Sequence, residues 1–526
     1  MTREAGVAAV ASPHWAATEV GREVLATGGN AMDACVAMNA MLAVVYPHMC
    51  GLGGDFMLLY WNASLAELTC LNGTGPAPAL ATSSAFRELG LSCVPARGPL
   101  AVTVPGAVAA WDEALSRHGS RSLTALLVPA IDAAEHGVRV TVRLAQWIVD
   151  TRTELAGDSV LSRCFFDEHQ VPLAAGAALL QPELARALRQ IAAAGASDLY
   201  RGDLAGEIDR ASAAAGGFLR MGDLERYRPH WVEPLCTRYG GLDVFTTPPN
   251  SQGITSLIML IGLTLLNAEH YRPGSPEFIE AFITVKHAAF ADRDAHVADP
   301  AFTEIPVAEL LSVVHARAGV ENPPRMLQSH PVGGDTVYFC AVDGQGNACS
   351  AIQSICYGFG SCFVAGDSGI LLHNRAHCFR LDDPHPNGLK PGKRPMHSLM
   401  TSMAFDSGGP RFVFGAMGGD GQPQANVQVL QQLLSGADAA HAVAAPRILH
   451  GRFLLEDDEE TLHVEADIGE ETLASLSRSG HHVEVTAPND ERMGHAHAIA
   501  IGRHGSLCAG SDPRSDGAAV VLGDAR

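Results

Sequence analysis

The stretch from Gly333 to Asn347 reads Gly-Gly-Asp-Thr-Val-Tyr-Phe-Cys-Ala-Val-Asp-Gly-Gln-Gly-Asn, and the fold turns on how it is read. Val337 to Val342 is an unbroken apolar run of strand length, with β-branched and aromatic side chains. Ala348 to Ile355 reads as a second buried strand, and Asp343 to Asn347 between them is made of turn formers. Two strands across a short Gly/Asp/Asn turn predict a β-hairpin. A third strand is expected over Arg411 to Gly415, running into Gly418-Gly419 and then a helix over about Pro423 to Leu434. Short strands are expected near His481 to Val485 and His497 to Ile501.

Before the hairpin the character is helical. Ala16 to Val45 is rich in alanine and reads as a helical region broken at Gly28-Gly29. Gly51-Leu52-Gly53-Gly54 turns the chain into a short strand, Phe56 to Tyr60. A helical middle is expected from about Ser120 to Ala214, a buried helix over Thr255 to Leu266, and an amphipathic helix over Pro276 to His296. Helices ahead of a strand-rich segment predict layered α/β packing.

The bulk numbers narrow the function. A chain of 526 residues is long for one core, so two subdomains or one large layered domain are expected. With 47% hydrophobic and 18% charged residues the chain is globular. A net charge of −21 and no basic block argue against a nucleic-acid partner. The N-terminus lacks a basic stretch followed by a long apolar one, and Thr255 to Leu266 is too short to span a bilayer. No membrane association is expected, and a cytoplasmic location is. None of the 12 cysteines is spaced as in a CxxC site, so they read as small buried hydrophobes.

Asp335-Thr336 is where chemistry enters. A threonine hydroxyl is a weak nucleophile unless a base stands beside it, and a threonine at a chain terminus carries that base as its own α-amine. Thr336 reaches that state only if the Asp335–Thr336 bond is cut. Gly333-Gly334 gives backbone freedom before the bond, and the strand that Thr336 opens fixes its side chain.

The rest of the chain resembles the gamma-glutamyltranspeptidase family over nearly its full length. The resemblance is carried by Gly28 to Ala34, Pro47 to Met57, Val104-Pro105-Gly106, Pro248 to Gly253, Ala291-Asp292-Arg293, Asp335-Thr336 through Asn347, Pro391 to Pro395, Gly415 to Gly419 and Asp512-Pro513-Arg514. It implies a four-layer αββα fold of the N-terminal-nucleophile type and autocleavage into 1–335 and 336–526. It also implies that Thr336 becomes acylated and passes the acyl group to water or an amine. The two fragments would stay associated, with a dimer of such heterodimers as the larger assembly. No cofactor and no metal are implied, and the partner is a small-molecule amide or acyl substrate.

By the same resemblance Ser354 is a hydroxyl that hydrogen-bonds the nucleophile, and Gly418 and Gly419 form the oxyanion hole. His397 and Ser398 fall where typical members carry two serines that cover the substrate, so His397 is read as a polar substrate contact or a titrating group. Typical members hold the donor's α-carboxylate with an arginine and its α-amine with a carboxylate. Asn72 to Pro78 contains no arginine, and Cys378 stands at the carboxylate position, with Arg375 nearby as a replacement cation. The resemblance with these departures points to an amide hydrolase or acyltransferase for a donor other than a free γ-glutamyl group. Three readings stay beside it: a relative cleaving a carbon–carbon bond, an uncleaved binding homologue, and a metal hydrolase using His495 and His497.

Overall fold

The computed structural model describes residues 7–322, 334–382, 384–451 and 460–523. Gly333, half of the expected glycine hinge, lies outside the described residues. The hairpin after it folds as expected: Asp335–Val342 and Ala348–Cys356 pair antiparallel. They sit in the middle of a seven-stranded sheet ordered 518–522, 8–12, 335–342, 348–356, 55–62, 67–73 and 230–232. A six-stranded sheet, ordered 507–511, 496–501, 409–416, 402–406, 242–246 and 235–239, is stacked on it.

The two faces of the first hairpin strand show why Val337 to Val342 is unbroken. Val337, Phe339 and Ala341 belong to the core under helices Trp15–Ala26, Ala31–Val45, Ala107–His118, Leu123–His136 and Pro182–Ala194. Tyr338, Cys340 and Val342 belong to the core between the sheets, with Met57, Leu59, Leu399, Met403 and Val413. Helices Gly253–Leu265, Pro276–His296 and Gln422–Leu434 cover the far face of the second sheet. The order helix, sheet, sheet, helix is the αββα sandwich, and a strand buried on both faces has no use for polar alternation.

Local signals explain most element ends. The first helix stops at Thr27, Gly28 adopts φ 89°, and Asn30 and Asp33 cap the next helix reciprocally. Two expectations need correction. The helical middle is interrupted by a two-residue ladder, Val138–Arg139 against Ala178–Leu179. Helix Pro276–His296 forms, yet its buried face is wide, taking in Phe278, Ile279, Ala281, Phe282, Ile283 and Phe290, because it packs among other helices.

The segments on either side of the Asp335–Thr336 bond interleave in both sheets. Ala8–Ser12 pairs with Asp335–Val342 on one edge and with Ala518–Leu522 on the other. Six of the cysteines are buried and all are free thiols. Among the described residues no helix is long and apolar enough to cross a membrane.

Candidate active site

Strand register builds the site. Asp55 is the partner of Ser354, and Ser354 is the partner of Thr336, across three adjacent strands. Side chains alternate along a strand, so all three share the face that carries Met57, Ile352 and Tyr338, the face between the sheets. Thr336 is fully buried, and its hydroxyl has no hydrogen-bond partner among the described residues. A buried hydroxyl without a partner costs about 1–3 kcal/mol.

Ser354 does not bond that hydroxyl, as the resemblance implied. Its Oγ donates to the backbone oxygen of Asp335 at 2.6 Å, and it accepts from the amide of Cys356 at 2.8 Å and from Arg375 Nη2 at 3.2 Å. Arg375 is buried and spreads its other contacts around the same spot. Nη1 lies 3.2 Å from Ser398 Oγ and 3.9 Å from Cys378 Sγ, and Nε lies 3.7 Å from Asp55.

Asp55, fully buried, was not singled out from the sequence. Its carboxylate accepts from the amide of Gly75 at 2.9 Å and from His397 Nε2 at 3.0 Å, and lies 3.1 Å from His373 Nδ1. Burial works against its charge, but His373 and His397 outweigh burial and hold the carboxyl well below the usual carboxylate range. The signal for Asp55 was a lone acid opening an otherwise apolar strand after Gly51 to Gly54. His397 takes up a different task from the one expected. One ring nitrogen donates to Asp55, and the other accepts from the amide of Leu399 at 3.2 Å. Burial and the nearby Arg375 push its pKa down to about 4, so it is a neutral, fully buried support, and it has no nitrogen left for a substrate.

Gly418 and Gly419 end the strand Gly409–Ala416 with φ values of 128° and 50°. Among the described residues neither amide N–H has an acceptor, which leaves two donors free at one turn. The turn is next to the nucleophile's strand, since a Cβ on Gly334 would fall 2.0 Å from Gly419 Cα. Gln252 Nε2 holds the carbonyls of Gly419 at 2.8 Å and Ser398 at 2.9 Å. Arg293, fully buried, donates to Gln252 Oε1 at 3.1 Å and pairs with Asp420 at 3.3 Å. Gln252 and Arg293 both lie in stretches that carried the resemblance, although no role was read for either one.

The donor-binding positions are rebuilt. Asn72 and Thr74, where an arginine was expected in typical members, are tied to each other at 2.7 Å and to Asn250, Asn72 at 2.9 Å. Cys378 Sγ lies 3.9 Å from Cys356 Sγ, and among the described residues no carboxylate replaces it in contact with Arg375 except the already engaged Asp55. Among the described residues the one grouping with metal-ligand geometry is His287, His450 and Glu460, with Nε2–Oε2 separations of 3.7 and 3.9 Å. It shares no residue with the Thr336 network and does not include His495 or His497.

Burial and the charge of Glu491 raise the Asp335 carboxyl to about 7. A carboxyl with a raised folded pKa favours folding while protonated. Its penalty therefore grows as pH rises from about 4 to about 7 and is complete above that. In a Thr336→Ala background, Tm should fall between pH 5 and pH 8, and Asp335→Asn should flatten that fall. Equal slopes with and without Asp335 would show that its carboxyl is solvated.

A buried threonine opening a strand, a free pair of glycine amides beside it and an αββα sandwich define an N-terminal-nucleophile architecture. The gamma-glutamyltranspeptidase family model matches residues 17–522, and the chain belongs to that family. It is 39% identical to the glutathione hydrolase-like YwrD proenzyme of Bacillus subtilis, over 98% of both chains. It is 36% identical to the oxamate amidohydrolase proenzyme of Klebsiella pneumoniae, over 97% of both. The crystal structure of cephalosporin acylase from Bacillus halodurans superposes with a TM-score of 0.90 at 33% identity, covering 98% of this chain and 96% of that one.

Proposed function

We propose that this chain is a precursor that cuts itself between Asp335 and Thr336, and that the resulting 1–335 and 336–526 fragments form one amide-cleaving enzyme. The observation that carries this is the buried, unpartnered Thr336 hydroxyl at the peptide whose carbonyl Ser354 already binds. After the cut, the new α-amine of Thr336 takes the hydroxyl proton as Oγ attacks the donor carbonyl. The amide N–H groups of Gly418 and Gly419 receive the developing oxyanion, a contribution of about 3 kcal/mol per donor. The amine then protonates the leaving group, and water, or an acceptor amine, releases the acyl group from Thr336.

The donor is one with an anionic end and no ammonium. Arg375 is the cation among these side chains, with Ser354 and Ser398 in its reach, and the carboxylate beside it is already engaged by Gly75, His373 and His397. A buried ammonium needs an opposite charge, or its desolvation goes uncompensated. The names of two relatives, oxamate amidohydrolase and cephalosporin acylase, support a non-glutamyl donor. Glutaryl and γ-glutamyl p-nitroanilides differ by one α-ammonium. The expected kcat/KM for the glutaryl compound is at least about tenfold higher, the scale of a charge left without a partner. Equal turnover, or preference for the γ-glutamyl compound, overturns the donor assignment.

A further inference from the structure

We infer that Arg375 is a positioning residue for self-cleavage: it fixes the Ser354 hydroxyl as the donor that stabilises the oxyanion on the Asp335 carbonyl. The inference rests on the self-cleavage proposed above and adds a residue to it.

The argument is one of hydrogen-bond valence. Ser354 Oγ has three neighbours: Cys356 N at 2.8 Å, Arg375 Nη2 at 3.2 Å and Asp335 O at 2.6 Å. The amide and the guanidinium are donors only, and the carbonyl is an acceptor only. A hydroxyl has a single hydrogen, so two neighbours fill its lone pairs and the hydrogen is directed at Asp335 O. Without Arg375 one lone pair is open and the rotor is less constrained. Arg375 is itself held on three sides, by Asp55, Ser398 and the Cys378 sulfur, and the positive charge behind the hydroxyl makes it a stronger donor.

The chemistry this serves is an N-to-O acyl shift. Thr336 Oγ forms a bond to the Asp335 carbonyl carbon, and the π electrons move onto Asp335 O, where the Ser354 hydrogen receives them. Collapse breaks the C–N bond, and the hydroxyl proton ends on the Thr336 nitrogen. Water then hydrolyses the Asp335–Thr336 ester, leaving an Asp335 carboxylate and a free Thr336. The charge forms on the atom that Ser354 already touches in the uncleaved chain, so the donor is in place before reaction.

The test follows conversion of full-length precursors to two fragments, by intact mass and denaturing gel. Ser354→Ala is expected to slow cleavage about 10²–10³-fold, the cost of one oxyanion donor. Arg375→Ala should slow it at least about tenfold, and Arg375→Lys, which keeps the charge opposite Asp55 but loses the fork, should also be slower than wild type. If Arg375 acts through Ser354, the double variant is no slower than Ser354→Ala alone. Added guanidinium should then speed Arg375→Ala but not the double variant, a response that a purely structural arginine does not give. Multiplying effects in the double variant, or wild-type cleavage by Arg375→Lys, overturns the inference. Wild-type chain that is never cut before Thr336 instead overturns the self-cleavage reading beneath it.

Discussion

Thr336→Ala is expected to run as a single uncut chain of 55.3 kDa and to lose turnover of any amide donor by at least about 10⁴-fold, while wild type yields two fragments. The expectation is large because one side chain has two tasks. Its oxygen severs the backbone, and the same oxygen, freed at a terminus, carries the acyl group. Removing it should not unfold the protein. The hydroxyl makes no hydrogen bond among the described residues, so its deletion strands no partner and leaves only a small gap. Thr336→Ser keeps the oxygen and should cut itself, at a different rate because serine lacks the methyl that restricts χ1. Intact mass gives the cleavage site to the residue, and an assay on glutaryl p-nitroanilide gives the turnover. Wild-type turnover by uncut Thr336→Ala protein would remove Thr336 from the mechanism.

Much of the site was legible in the sequence because its parts are local. The hairpin from Asp335 to Cys356 shows in the apolar run of its first strand and in its turn, and Gly418-Gly419 shows as a turn between a strand and a helix. What the sequence hid is long-range. Asp55 meets Ser354 and Arg375 only because strand register joins positions about 300 residues apart, and no local pattern encodes that register. The same holds for Ser354. Its hydroxyl was expected on the nucleophile, but the bulge between Ser354 and Cys356 leaves it on the preceding carbonyl. His397 reads from sequence as a polar residue at a substrate position. Its real neighbour is a carboxylate that the fold buries beneath the site, and this was not visible until the two sheets were stacked.

Asp55→Ala should be the most destabilising single change at this site, by about 3–5 kcal/mol, the range for breaking a buried ion pair from one side. Arg375, His373 and His397 all converge on this carboxylate, and every one of these side chains is essentially inaccessible to water. Removing it leaves a guanidinium with no counter-charge and an imidazole N–H with no acceptor, and the loss of the Gly75 contact loosens the segment that follows the neighbouring strand, 67–73. Asp55→Asn should lose less, since it keeps an acceptor for Gly75, although it presents an NH2 to donors on the other side. Denaturant unfolding in the Thr336→Ala background, where each protein is one uncut chain, measures the difference without the complication of fragments. The midpoint should fall while the slope stays constant. Self-cleavage should fail or slow sharply in Asp55→Ala with Thr336 restored, because Arg375 loses the anchor that aims it at Ser354. A stability loss under about 1 kcal/mol would mean that water reaches the carboxylate, since exposed pairs contribute no more than that. The dry network proposed to hold the Ser354 hydroxyl in line with the Asp335 carbonyl would then be wrong.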